Sequence, residues 1–260
     1  MEFTSQKSST LNLFQLIVFT SLMFSAQLAG AQSLDSLSLQ LMAPWHSAET
    51  VLDNTEQATA ELMGSGWVTS NTTTPNSFGV TFKTGVSEYV LKSTTLMIAS
   101  AGDPAVFSGE VKVGLYEVPE GNFPPSLKPF YEATSKGIQI TSQPMYTSVS
   151  LGLPRLKPNT WYGIAFSLPN APLAKIMGYQ VPNVAPKPSL GFETGRPFWG
   201  DTSGEWKPLL YPYVWIDGWD VESPAFKEMQ DHAKVGFWGG LILLLAMLVV
   251  FSGLFRRFGR

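Results

Sequence analysis

Apolar residues recur at every second position in several short segments of this chain, and that period constrains the fold more than any other feature. Phe78, Val80 and Phe82 alternate with Gly79, Thr81 and Lys83. Val111, Val113 and Leu115 alternate with Lys112, Gly114 and Tyr116, and Tyr162, Ile164, Phe166 and Leu168 with Gly163, Ala165 and Ser167. Successive side chains of a strand point to opposite faces, so a period of two marks a strand with one buried face. Tyr89 to Ala99 is apolar on both faces and rich in β-branched residues, as expected of a central strand. Turn formers separate the runs: Thr84-Gly85, Gly102-Asp103-Pro104, Pro119-Glu120-Gly121-Asn122, Pro124-Pro125 and Lys157-Pro158-Asn159. Many short strands punctuated by Gly and Pro predict an all-β fold, a jelly-roll-like β-sandwich. The Pro-rich stretch 182–188 reads as a long loop within it.

The two ends of the chain read differently. Residues 1–31 have the layout of a signal peptide: a short start with Lys7, an apolar stretch from Leu11 to Leu28, and the small-x-small site Ala29-Gly30-Ala31. Cleavage there makes Gln32 the new N-terminus. No cysteine follows, so a lipid-modified N-terminus is not expected. Residues 235–255 form a run of 21 residues without a charge. At about 1.5 Å per residue a helix of that length crosses a hydrocarbon core of about 30 Å. Phe237 and Trp238 stand where interfacial aromatic residues sit, and Arg256, Arg257 and Arg260 follow the run. The positive-inside rule keeps those arginines in the cytoplasm and places the body outside it. The expected organisation is therefore a signal peptide (1–31), an N-terminal segment (32–64), a β-sandwich (65–222), a juxtamembrane stalk (223–234) whose residues Ala225–Lys234 read as helical, a transmembrane helix (235–255) and a basic cytoplasmic tail (256–260).

Composition narrows the possibilities. The body between the two ends is about 200 residues, enough for one domain with its own core. The chain has no cysteine, which removes disulfides, thiolate metal sites and thiol nucleophiles together. A cysteine-free extracytoplasmic domain suits a bacterial envelope, periplasmic or at the cell surface. Setting aside Glu2, Lys7 and the three C-terminal arginines leaves 13 basic and 19 acidic residues, a net charge of about −6. The acids are scattered and no basic patch exists, so nucleic acid is not an expected partner.

Four motifs follow one another between Ser65 and Glu222: Phe82-Lys83-Thr84-Gly85, Tyr89-Val90-Leu91-Lys92-Ser93, Gly109 through Tyr116, and Leu156 through Tyr162. Their order and spacing resemble the bacterial choice-of-anchor domains, most closely the type R form, with F-x-T-G, Y-x-L-x-S, G-x-V-x-V-x-L-Y and L-x-P-N-T-x-Y. The resemblance implies an exported β-domain whose C-terminal anchor varies between members. It implies no reaction and transfers no catalytic residue. The tail also resembles sorting signals that a membrane transpeptidase of the exosortase type removes, but the Pro-Glu-Pro motif is missing and Ser223-Pro224-Ala225 does not replace it. Retention of the helix is the first reading, and processing the alternative. The Leu156–Tyr162 corner has its own physical reading. Pro158 and Asn159 make the turn, Thr160 bonds locally, and the Tyr162 hydroxyl returns to the loop, as in the tyrosine corner of immunoglobulin-like sandwiches.

Few residues can carry chemistry. His46 and His232 are the only histidines, one near the expected mature N-terminus and the other beside the membrane run. Zinc sites use three or four ligands, and a Ser-His-Asp arrangement would have to recruit His46, so neither is expected. Glu193, Asp201, Glu205, Asp217, Asp220 and Glu222 are the densest carboxylates. Two of them facing each other could hydrolyse a glycosidic bond, and a group of them could hold calcium. No Asp-x-Asp-x-Asp loop is present, and solvated loop charges explain them better. Eight aromatic residues fall between Phe192 and Trp219. Tyr211, Tyr213, Trp215, Asp217 and Trp219 share one face of a strand, with Val214 and Ile216 on the other. With Val214 and Ile216 facing the core, the aromatic strip is outside. The opposite orientation makes the strip part of the core. Trp199 and Trp206 stand among Gly195, Gly200 and Gly204, and read as exposed loop residues. Exposed Trp and Tyr beside Asp suit sugar rings, by stacking on C–H and accepting hydroxyl hydrogens.

The expectation is a non-enzymatic, membrane-anchored surface protein that contacts extracellular or envelope polysaccharide, or an envelope protein. The glycan contacts would be Trp199, Trp206, Tyr211, Tyr213, Trp215 and Trp219. A purely structural or adhesion module without a small ligand is the alternative, and a carboxylate-dependent glycan hydrolase the remaining one. No cofactor is expected apart from a possible calcium ion.

Overall fold

The computed structural model describes residues 34–55, 67–68, 77–100, 106–119, 128–169, 174–177, 185–200, 206–208 and 211–258. The expected signal peptide and its cleavage site, Ala29, Ala31 and Gln32, lie outside them, as does Arg260. The described residues separate into two compact units, 1–47 with 224–260, and 48–223.

Among the described residues the larger unit holds every strand. In chain order these are β1 (Glu49–Asp53), β2 (Trp67–Val68), β3 (Ser77–Lys83), β4 (Tyr89–Ser100), β5 (Val106–Glu117), β6 (Tyr131–Thr141) and β7 (Met145–Ser150). There follow β8 (Arg155–Leu156), β9 (Trp161–Ser167), β10 (Ala174–Ile176), β11 (Lys187–Pro188), β12 (Glu193–Gly200), β13 (Trp206–Pro208) and β14 (Val214–Asp220). They make two antiparallel sheets, an all-β sandwich. The first sheet runs β11-β1-β14-β4-β10-β2, with β7 and β8 also paired to β4; the second runs β13-β12-β3-β9-β5-β6. Taking β1, β3, β4, β5, β6, β7, β9 and β14 as strands 1 to 8, the sheets read 1-8-3-6 and 2-7-4-5. That is the double Greek-key order of a jelly roll, with the β12–β13 hairpin added beside β3.

Alternation in the sequence becomes packing at the centre of the second sheet. Phe78, Val80 and Phe82 of β3 stand opposite Phe166, Ile164 and Tyr162 of β9, and Val113 and Leu115 of β5 stand opposite Phe166 and Ile164. All are buried in one core cluster with Leu91, Leu96 and Ile98 of β4 and Val214 and Ile216 of β14. Gly79 lies between them for a steric reason. A Cβ there would come within 1.9 Å of the Ile164 carbonyl oxygen, and the Phe198 ring covers the position.

The sandwich begins earlier than residue 65. β1 falls in the segment read as a lead-in, yet it pairs with β14 and delivers Val51 and Leu52 to the core. A register shift between Thr50 and Leu52 buries two consecutive residues, which hides the strand from a period-two reading.

The smaller unit contains α1 (Leu34–Met42), a 3₁₀ turn (Ala43–Trp45) and α2 (Pro224–Phe258), with α1 packed on α2. Residues 225–234 are helical, as their sequence predicts, and the helix continues without a break into the uncharged run. Phe226, Met229 and Ala233 are buried along one stripe of α2, at the three- and four-residue spacing of a helix face. Side chains at 244–245 and 248–258, Arg256 and Arg257 among them, lie outside the described ones. Among the described residues no helix is long and apolar enough to cross a membrane.

Candidate functional site

The candidate site is the outer face of the first sheet around β14. Its entry is fixed by Asn54, buried at the end of β1. The Asn54 amide group donates to the Pro212 carbonyl at 2.9 Å, and its oxygen accepts the Val214 N–H at 2.9 Å. Both ends of a buried side-chain amide are thereby satisfied, which sets the phase in which β14 enters the sheet. With Val214 and Ile216 turned to the core, Trp215 and Asp217 face outward.

Trp215 is the exposed member, at 38% of its accessible surface. Its ring is pinned from neighbouring strands. The indole N–H points at both the Thr50 hydroxyl, 3.1 Å away, and the Asp217 carboxylate, and Thr50 donates to the same carboxylate oxygen at 3.1 Å. Beside it Thr95 and Ser148 share a 2.6 Å hydroxyl–hydroxyl bond on paired strands. Tyr146 on β7 is 48% exposed. Burial first, then the negative charge of Asp53, pushes its hydroxyl above the usual tyrosine value.

The other aromatic candidates divide. Tyr213, just before β14, and Trp219 within it share the period of Trp215 but are fully buried, so neither a wholly open nor a wholly buried strip holds along its length. Lys92 is placed over the Trp219 ring, 5.5 Å from its centre, a cation–π contact. Burial raises the Tyr213 hydroxyl above its ordinary value, with Tyr146 adding to the effect. Tyr211 is half-buried and donates its hydroxyl to the Gly195 carbonyl at 2.6 Å. Trp199 and Trp206 occupy strand positions in the β12–β13 hairpin, opposite Phe78 and Gly200 respectively, rather than an open loop. Their side chains lie outside the described residues.

The carboxylates are engaged locally. Glu193 pairs with Lys83 at 3.2 Å, and Asp220 accepts the Glu222 N–H at 2.8 Å. Asp201 and Glu205 lie outside the described residues. Among the described residues no group of three His, Cys, Asp or Glu side chains is arranged to hold a metal ion. The histidines depart from expectation. His232 Nδ1 and His46 Nε2 are 3.4 Å apart, although 186 positions separate them in the chain. Chain distance gave no signal of this.

Three of the four motifs behind the family resemblance meet at a different place, the corner at one end of the sandwich. Thr84 donates its hydroxyl to the Lys157 carbonyl at 2.6 Å and accepts the Thr160 N–H at 2.9 Å. Asn159 N–H donates to the Gly85 carbonyl at 2.8 Å, and Lys157 N–H to the Tyr162 hydroxyl at 2.9 Å. Tyr89 donates to the Leu190 carbonyl at 2.7 Å, tying in a third loop. The corner is thus structural in its contacts. No protein-family model matches the chain, and no curated protein matches it.

Proposed function

We propose that this chain is an exported envelope protein, held by one C-terminal membrane helix, whose β-sandwich contacts extracellular or envelope polysaccharide without catalysing a reaction. The observation that carries the reading is Trp215, exposed on the outer sheet face yet fixed through its indole N–H by Thr50 and Asp217. A ring held in one orientation loses little freedom when a sugar stacks on it. Asp217, Asp53 and Tyr146 supply polar groups around it. With a body of net charge about −6, a neutral or amino-sugar polymer fits better than a polyanion.

Three points support anchoring. The uncharged run 235–255 lies within one 35-residue helix. Val235, Trp238 and Ile242 are exposed at 72%, 59% and 65%, at three- and four-residue spacing, an apolar stripe that lipid would cover. Two arginines follow the run. The resemblance to choice-of-anchor domains fits the same organisation. Removal of the tail by a sorting transpeptidase is the alternative fate.

Carboxylates committed to Lys83, Trp215 and a local turn favour binding over acid–base catalysis. The full burial of Tyr213 and Trp219 favours the second reading, a structural or adhesion module with no glycan. Anchoring is tested by intact mass of the protein extracted from membranes. The expected mass begins at Gln32 and keeps Arg260. Loss of residues after about 223 would mean processing, and recovery in the soluble fraction with the tail intact would sink the anchor.

A further inference from the structure

We infer that His46 and His232 form a two-imidazole binding site for an exchangeable divalent transition metal, which clips the segment after α1 onto α2. Both residues belong to the smaller unit, where α1 packs on α2. The two ring nitrogens are 3.4 Å apart, with ring centres 5.4 Å apart and planes inclined at 45°. Metal–imidazole bonds of about 2.0–2.1 Å at a tetrahedral angle place two nitrogens about 3.3–3.4 Å apart. The pair therefore has the bite of a chelate before any metal enters. Without metal, one ring donates an N–H to the other. With metal, both present lone pairs, and the proton moves to the outer nitrogen of the same ring.

The surroundings leave the site with two protein ligands. The neighbouring Asp231 faces Lys234 at 3.5 Å, and no third ligand completes a cluster among the described residues. Two imidazoles leave the other coordination positions to water. The spacing matches tetrahedral zinc(II), whereas square-planar copper(II) needs the two nitrogens to close to about 2.8–2.9 Å; the general order of affinities, in which copper(II) exceeds nickel(II) and zinc(II), still sets the ranking. A metal held there stabilises the helical unit, by an amount that grows with the logarithm of free metal above its dissociation constant.

The test is titration of full-length protein in neutral detergent with copper(II) and, separately, zinc(II), read by calorimetry and by the copper electron paramagnetic resonance spectrum. The expected result is one saturable site per chain, with nitrogen ligation and copper tighter than zinc. His46→Gln and His232→Gln each weaken binding at least tenfold by destroying the chelate, and the double variant, which has neither imidazole, abolishes it. Circular dichroism of each variant establishes that the helices persist. Absence of a saturable site, or one that survives both substitutions, overturns the inference.

Discussion

Thr84 and Lys157, 73 residues apart, are joined by a 2.6 Å hydrogen bond from the threonine hydroxyl to the lysine carbonyl. The bond closes the end of β3 onto the turn that precedes β9, and the same hydroxyl accepts the Thr160 N–H. A neighbouring bond from Lys157 N–H to Tyr162 completes the corner. Thr84→Ala and Tyr162→Phe each leave a turn amide without its acceptor, at a cost of about 1–3 kcal/mol. For a domain of this size that is a fall of about 2–4 °C in Tm per kcal/mol, measurable by calorimetry. Unchanged Tm in both variants would mean the corner contributes nothing.

Alkaline pH offers a second test. Burial raises the hydroxyls of Tyr89, Tyr116, Tyr131, Tyr162, Tyr211 and Tyr213 above the ordinary tyrosine value. A raised value means the folded state holds these protons more tightly than the unfolded chain. The stabilisation is complete below the unfolded value of about 10 and is lost as pH rises through the folded values. Urea midpoints should hold steady on approaching pH 10 and fall above it, less steeply in Tyr162→Phe.

Two glycines separate packing from backbone strain. Gly79→Ala forces a Cβ against the Ile164 carbonyl and should cost about 1–3 kcal/mol by overpacking. Gly137 has open space but φ of +70°, so Gly137→Ala should cost about 1–2 kcal/mol through the left-handed backbone alone. Gly137→Asn, which tolerates that conformation better, should recover part of the loss, whereas Gly79→Asn should not. Urea unfolding of the four variants decides this.

Thr147 supplies a gain. Among the described residues its buried hydroxyl has no hydrogen-bond partner. Thr147→Val keeps the β-branched shape and removes that unsatisfied group, so stability should rise by about 1 kcal/mol. A loss would mean that the hydroxyl has a partner in solution.

The sequence pattern identified strands wherever alternation was unbroken, as at Phe78–Phe82 and Tyr162–Phe166. It missed β1, where the register shift buries Val51 and Leu52 together. It missed β12, because Gly195 and Pro197 look like loop residues although they lie at a bulge against β3. In β6, the extra residue at Gly137 breaks the period. Within the site, alternation placed Trp215 on the outer face but carried no information about cover over Tyr213 and Trp219. Burial there depends on long-range packing, as does the meeting of His46 and His232.

Trp215 is the residue on which the proposed glycan contact rests. Full-length protein in detergent is titrated with a panel of neutral, amino-sugar and acidic polysaccharides while tryptophan fluorescence is followed, beside the Trp215→Ala variant. Saturable quenching by a neutral or amino-sugar polymer is expected, absent in Trp215→Ala although that variant keeps its fold. Binding undiminished in the variant, or no response to any polymer, would contradict it and leave the sandwich a structural module.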